Sequence, residues 1–455
     1  MPTDGSSLDL RGYLSHARSG EQNAYLEVTQ EISPRWQTAA IVAKLARKMR
    51  NPVVYFSSVS GTALPVVTNV CCSFERVARS AGLDAGIVSV RMARALEEPV
   101  PAVERSAGES PVLAKRFGPG QFSLRDLPQF FYTDTQTAPY LTAAILVARD
   151  PLSGAHNLSF HRLMICGDHE VAIYMTPGGH LEKIWHRNRE QGRATPVAAV
   201  FGFHPLWAYG SLAAGPLDVD DYGVIGAVLG EGLAVTRGVR HSELRIPALA
   251  EMVYEGQIEA EVTEPEGPFG EFLGYVAPRE VRPVLRFTHL CSREQPIFQD
   301  IVAGQSEHVT MSSVTLRARL TRNYFRSNDA VVDFWLPAAM TLFLAVDSGR
   351  QTDFDAQQTM RRLLHEERYL KQVVCFDANV DLRKQASVQA ALATNVQADR
   401  DLELLPDCPG NGVDPSEVDG RTCKLAIDAR SKGSVVTSRL PQEIEDSVHL
   451  EDWLE

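Results

Sequence analysis

The absences in this chain narrow its function first. No Cys-x-x-Cys pair occurs among its seven cysteines (71, 72, 166, 291, 375, 408 and 423). An odd, scattered set of this kind reads as reduced, buried thiols in a cytosol and not as a disulfide framework. No uninterrupted apolar run reaches the ~18 residues of a membrane-spanning helix. The opening Met-Pro-Thr-Asp-Gly-Ser-Ser has no basic region followed by an apolar core, so a cytoplasmic protein without membrane contact is expected. Basic charge is not in excess either. The net charge of −12 over 455 residues leaves no global field for nucleic acid or an anionic membrane. P-loop, GxGxxG, GxSxG and HExxH spacings are all missing, which removes the standard nucleotide, nucleophile and zinc-protease signatures. Asn157-Leu-Ser159 spells a glycosylation sequon, but without a secretory signal it carries no weight.

What is present is ordinary in bulk. Charged residues at 22% and hydrophobic ones at 44% are those of a globular protein, and the length exceeds a single core. Ser33-Pro34 is expected to open a helix striped by Ala39, Ile41, Val42, Leu45 and Met49, stopped at Asn51-Pro52. Val53-Val-Tyr-Phe56 then reads as a buried strand and 74–96 as a helix, giving an N-terminal α/β unit to about residue 115. From about 121 to 320 the texture is β, with strands expected at 140–148, 157–166 and 171–175, the last two joined at Gly167-Asp168. The last third returns to α/β. Strands at 341–346 and 372–376 alternate with helices at 353–365 and 382–395, which predicts a parallel sheet with covering helices. Residues 407–419 are rich in turn formers, and 440–455 reads as an acidic amphipathic tail with Trp453 and Leu454 as docking residues.

One stretch organises the chemistry: Glu261-Val-Thr-Glu-Pro-Glu-Gly-Pro-Phe-Gly-Glu-Phe-Leu-Gly-Tyr275. Glu266 and Glu271 are five apart, which places them on opposite faces of a strand and about 140° apart on a helix. Gly267-Pro268-Phe269-Gly270 is poor helix and poor strand but good turn, and a turn folds both carboxylates toward one point. Two such carboxylates suit acid/base work when an arginine joins them, because the cation keeps one ionised while an apolar pocket raises the other.

A second stretch sets Asn157, Ser159 and His161 on one strand face and Phe160 and Arg162 on the other. For Asn157 and Arg162 to share a site, a bulge or bend must fall between them. His180, after Pro177-Gly-Gly179, is expected on a loop whose backbone can approach a ligand closely. Asp218-Val-Asp-Asp221 precedes Tyr222-Gly-Val-Ile-Gly-Ala-Val-Leu-Gly230, either as a solvated loop before a helix or as oxygen ligands for a hard divalent cation. Gln305-Ser-Glu-His308 is expected as a loop.

Taken together, Asn157-Leu-Ser-Phe-His-Arg162, Gly179-His180 and Glu266-Gly-Pro-Phe-Gly-Glu271 resemble, in order and spacing, the UbiD-type prenylated-flavin decarboxylases. The likeness runs from Asp9-Leu-Arg11 to Cys423-Lys-Leu-Ala-Ile-Asp428. It implies an α/β and α+β multidomain chain: an N-terminal α/β domain (1–115), a central split β-barrel of flavin-reductase-like form holding the flavin and metal (116–320), and a C-terminal α/β domain that dimerises (321–455). It further implies prenylated flavin mononucleotide, a manganese or magnesium ion and potassium as cofactors, with a flavin prenyltransferase as supplier. By the same resemblance Asn157, His180 and the acid ahead of Gly226-Ala-Val-Leu-Gly230 ligate the metal. That position is usually glutamate and here holds Asp221, with Asp220 and Asp218 as alternatives. Ser159, Phe160, His161 and Arg162 would line the flavin, Gly179 and His180 would lie near its phosphate, and Lys371 would face that phosphate.

The implied reaction is reversible, non-oxidative decarboxylation of an α,β-unsaturated or aromatic acid. Arg162 would clamp the substrate carboxylate, Glu266 would orient Arg162 and Glu271 would donate the proton. The readings outside this class are a flavin oxidoreductase on the same barrel and a non-catalytic flavin-binding protein; neither needs three converging ionisable groups.

Overall fold

The computed structural model describes residues 8–20, 23–48, 50–213, 215–326, 328–351, 354–433, 444, 447 and 448. The chain divides into two compact units, 1–327 and 328–455. The expected docking residues Trp453 and Leu454 lie outside the described residues, and no described helix is long and apolar enough to cross a membrane.

The first unit opens with helix Leu10–Ser19 and a four-stranded sheet ordered Tyr25–Val28, Val53–Phe56, Val66–Thr68 and Phe298–Gln299. The last strand returns from more than two hundred residues downstream, which ties this sheet to the β region. The helix expected from Ser33-Pro34 begins later, at Gln37. Trp36 is left-handed (φ 70°) and its N–H is held by the Phe131 carbonyl at 2.8 Å, so tertiary pairing delays the helical start. The segment 74–96 forms two helices, Phe74–Ser80 and Ala85–Arg94, broken at Gly82 (φ 68°) and recapped by Asp84, whose side chain accepts from the Gly86 N–H.

The β region is dominated by a nine-stranded antiparallel sheet. Along its main path lie Tyr140–Leu141, Leu163–Ile165, Glu170–Ile173, Glu280–Ser292, Met252–Glu266, Thr195–Phe201, Ile145–Arg149 and His156–Phe160. The order dictates the shape. His156–Phe160 and Leu163–Ile165 are consecutive in sequence but six strand steps apart in the sheet, which is roughly 29 Å if the sheet were flat. The linker is only His161-Arg162, and the three peptide steps from Phe160 to Leu163 reach at most about 11 Å. The sheet must therefore curl until its ends nearly meet, and Arg162 sits on the seam. Two register shifts in the pairing of Met252–Glu266 with Glu280–Ser292 supply curvature. At one of them Gly256 is obligatory, since a Cβ there would lie 2.1 Å from the Arg286 carbonyl oxygen. The continuous strand expected at 140–148 is likewise interrupted, pairing Leu163–Ile165 through its first piece and Thr195–Phe201 through its second.

The second unit carries a five-stranded sheet ordered Val331–Ala338, Thr341–Val346, Gln372–Asp377, Arg421–Asp428 and Leu402–Pro409. Its three central strands are parallel as expected, and both edges are antiparallel. Helices Ala356–Glu366 and Gln385–Asn395 accompany it. Lys424 is buried on a central strand and donates to the Leu364 and Glu367 carbonyls at 2.7 and 3.1 Å, closing the C-terminal end of helix Ala356–Glu366 with positive charge.

Candidate active site

Residues 261–265 of strand Met252–Glu266 are exposed, but Glu266 at its end is only 1% exposed. Gly267 then turns the chain with φ 103°, a conformation L side chains avoid; a Cβ there would meet the Pro278 carbonyl oxygen at 2.8 Å. The expected simple turn is a turn followed by a short hairpin. Phe269–Gly270 pairs with Val276–Ala277, and the Glu271 N–H reaches the Tyr275 carbonyl at 2.8 Å. Glu271 thus begins the hairpin loop, and both carboxylates face the seam residue Arg162.

The three side chains meet. Arg162 Nε and Nη2 donate to the two oxygens of Glu266 at 2.9 and 3.0 Å, a bidentate pair, while Nη1 donates to Glu271. The hydroxyl of Tyr140 donates to Glu266 at 2.9 Å. The guanidinium carbon lies 4.3 Å from the centre of the Tyr174 ring and 4.6 Å from that of Phe269, so hydrogen bonds fix its edges and aromatic rings its faces. Burial works against the charge of Arg162, and the hydrogen bonds and charges of the two glutamates more than offset it. Glu271 responds differently. Burial raises its pKa above the usual carboxylate range, the Arg162 contact lowers it in part, and the Glu266 charge raises it again.

His308 completes this pocket and was not assigned from sequence. Gln305-Ser-Glu-His308, expected as a loop, is the N-terminal cap and first turn of helix Ser306–Leu320. The His308 ring packs edge-on to Phe269 and Phe272 at centroid distances of 6.3 and 5.6 Å. Burial foremost, and then the nearby Arg162 charge, push it down to about 4, leaving it neutral. Its Nδ1 accepts from the Gly304 N–H at 3.1 Å, so the proton is on Nε2. In sequence a lone histidine without metal spacing gives no signal for this position; only the fold brings it to Arg162.

On the other side of the seam, Asn157 Nδ2, Ser159 Oγ and His161 Nε2 are joined in series at 2.9 Å each, and His161 Nδ1 meets the Tyr174 carbonyl at 2.9 Å. Phe160, on the opposite face, packs edge-on to Phe203 at 5.8 Å. Helices His180–Arg189 and Asp221–Leu229 both pack on strand His156–Phe160. His180 is the first residue of its helix and not a loop residue; Gly179 caps the helix, and a Cβ there would meet the Thr176 carbonyl oxygen at 2.8 Å. Its N-terminal N–H groups form the kind of end that accepts a phosphate. Asp221 is anchored by the Leu158 N–H at 2.7 Å. Burial, with the Asp220 charge adding to it, pushes its carboxyl up to about 7. Asp220 instead caps its helix and accepts from both the N–H and Nδ1 of His156. Asp221, through its Leu158 bond, is tied to the strand at the residue after Asn157. Amide oxygen, imidazole and carboxylate are a donor set suited to manganese or magnesium, and a cation would relieve the buried Asp221 charge. Lys371 lies in the second unit, where its amine pairs with Asp414 at 2.6 Å and contacts Ser416.

Family models for the 3-octaprenyl-4-hydroxybenzoate carboxy-lyases match successive parts of the chain: the N-terminal domain over residues 18–106, the Rift-related domain over 104–306 and the C-terminal domain over 309–429. The chain belongs to the UbiD family. It is a carboxy-lyase built on a mixed α/β multidomain fold with a curled half-barrel. Relatives of this chain include the anhydromevalonate phosphate decarboxylases of Methanothermobacter thermautotrophicus (26% identical over 409 residues, covering 89% of this chain and 93% of the relative) and Aeropyrum pernix (28% over 420 residues, 90% and 91%). Among solved structures, the UbiD-class enzyme HmfF from Pelotomaculum thermopropionicum in complex with FMN superposes with a TM-score of 0.91 at 29% identity, covering 98% of this chain and 100% of that one.

Proposed function

We propose that this UbiD-family carboxy-lyase catalyses the reversible, non-oxidative decarboxylation of an α,β-unsaturated or aromatic acid with prenylated FMN, and that Arg162, Glu266 and Glu271 carry the chain's part of the chemistry. The supporting observation is the largely buried Arg162 held edge-on by both glutamates and face-on by Tyr174 and Phe269. When bound, the prenylated flavin supplies the electron sink for the pair left behind by departing carbon dioxide. Arg162 receives and orients the substrate carboxylate, for which its planar donor edge is the natural partner. Glu266, bidentate on Arg162 and fixed by Tyr140, holds that edge in register. Glu271 is the acid. Burial favours its neutral form, and release of Arg162 to the substrate removes the contact that lowers its pKa, so the proton is retained until it is delivered to the reacting carbon.

Asn157, His180 and Asp221 would hold a manganese or magnesium ion whose charge would offset that of the flavin phosphate, with the N-terminal N–H groups of helix His180–Arg189 as further phosphate donors and Ser159, Phe160 and His161 as residues that would line the flavin. Potassium is included as a further ion, and Lys371 as a phosphate-facing cation would have to leave Asp414 to act. A homodimer in the cytoplasm, supplied by a flavin prenyltransferase, completes the reading. The solved HmfF structures in complex with FMN and, in an evolved dimeric form, with prFMN support the cofactor class.

The test is purification from hosts with and without a flavin prenyltransferase, followed by assay of carbon dioxide release from a panel of unsaturated and aromatic acids. Turnover is expected only in protein from the first host. Equal turnover with plain FMN, or none with any acid in fully loaded protein, overturns the proposal.

A further inference from the structure

We infer that Ser159 and His161 form a one-way hydrogen-bond relay that fixes which end of the Asn157 amide is presented to the cation. Both are then positioning residues and not ligands. The inference rests on the assignment of Asn157 as a metal ligand above.

The direction of the relay follows from its far end. His161 Nδ1 is 2.9 Å from the Tyr174 carbonyl oxygen, which can only accept, so Nδ1 carries a proton. The ring is buried and burial pushes it down to about 4, so it holds one proton and Nε2 is a bare acceptor. Ser159 Oγ is 2.9 Å from Nε2 and commits its single proton there. Toward Asn157, also at 2.9 Å, the same oxygen can then only accept. The amide end facing Ser159 must be the NH2, which leaves Oδ1 on the opposite branch.

This matters because the two ends of an asparagine amide are nearly the same size, and an isolated serine hydroxyl can satisfy either one. With Ser159 free to donate, the amide could turn its NH2 toward a cation, and an NH2 cannot ligate. The relay removes that choice. The alternation 157, 159, 161 along extended chain lines up the three groups in a row. The carbonyl that sets the direction belongs to Tyr174, whose ring supports Arg162. Orientation of a ligand by such outer partners is typically worth 10- to 100-fold in metal affinity.

The experiment is Mn2+ affinity of the full chain with saturating FMN, read from the electron paramagnetic resonance signal of free Mn2+. Ser159→Ala is expected to weaken binding about tenfold, and Ser159→Thr, which keeps the hydroxyl, to restore it. Asn157→Asp presents oxygen at both ends, so adding Ser159→Ala in that background should change the affinity less than twofold. Equal losses from Ser159→Ala in both backgrounds would mark a packing role and overturn the relay. So would no loss in the otherwise unaltered chain while Asn157→Ala abolishes binding. If Asn157→Ala binds Mn2+ normally, or the unaltered chain does not bind it, the metal assignment fails and the relay with it.

Discussion

Replacing Glu266 by glutamine separates the two glutamates most sharply. Glu266 is 1% exposed and accepts three hydrogen bonds, two from Arg162 and one from Tyr140. The glutamine keeps one oxygen and must point its NH2 at a donor, so at least one charge-assisted bond is lost. That bond is worth about 1.5–3 kcal/mol, and if the loss is felt fully in the transition state, turnover falls roughly 10- to 150-fold. A second effect distinguishes this from simple damage. The Glu266 charge is one of the influences that raise the Glu271 pKa, and Arg162 lowers it. With Glu266 neutralised, Glu271 faces the Arg162 charge alone and its pKa falls. The alkaline limb of kcat/KM, which follows loss of the acid's proton in the free enzyme, therefore moves to lower pH. Glu271→Gln has no proton to lose; it should cost ~10²–10⁴ in turnover and flatten that limb. Arg162→Ala, which removes the carboxylate clamp, should be the most severe of the three. The assay is carbon dioxide release against pH with the best acid of the panel, together with deuterium entry into product from heavy water. Equal small losses in the two glutamine variants, or an alkaline limb that moves upward in Glu266→Gln, would refute the assignment of roles.

Asp221→Ala should lose bound metal and retain flavin poorly, while Asp218→Ala should keep both; metal analysis of the purified variants decides, and the reverse pattern moves the ligand to Asp218. Gly267→Ala forces a Cβ to 2.8 Å from the Pro278 oxygen at φ 103°, a strain of about 1–3 kcal/mol, so Tm should drop by several degrees and turnover should fall with it; an unchanged Tm and rate would show that the turn adapts. Glu307 is buried, accepts from the Asn69 and Cys71 N–H groups, and is pushed up to about 7 mainly by burial. A carboxyl raised on folding stabilises most below its unfolded pKa, and that contribution is lost as pH rises toward 7, of order 3 kcal/mol in all. Thermal unfolding from pH 5 to 8 should therefore show Glu307→Gln gaining on the unaltered protein as pH rises, and parallel curves would contradict it.

Sequence determined the local elements whose cause is local. Val53–Phe56, Thr341–Val346 and Asp221–Leu229 form where apolar runs and caps predict them. Glycines and proline between Glu266 and Glu271 sufficed to predict convergence, because backbone freedom at Gly267 is a property of the residue. The need for a break between Asn157 and Arg162 was also legible, since strand alternation puts them on opposite faces. The Glu-Gly-Pro-Phe-Gly-Glu run with its upstream Asn-Leu-Ser-Phe-His-Arg was enough to mark the family. Tertiary structure decided the rest, for reasons that no local window contains. Trp36 shifts a helix start because Phe131 captures its N–H, and His180 begins a helix, and His308 lies in the first turn of another, whose N-cap residues Gly179 and Gln305 make no side-chain capping bond. The order of the strands, not their individual propensities, makes the sheet curl and places Arg162 on the seam. Only there do burial and like charge raise Glu271 while the same arginine binds Glu266, because a pKa depends on what surrounds a group in space and not on its neighbours along the chain.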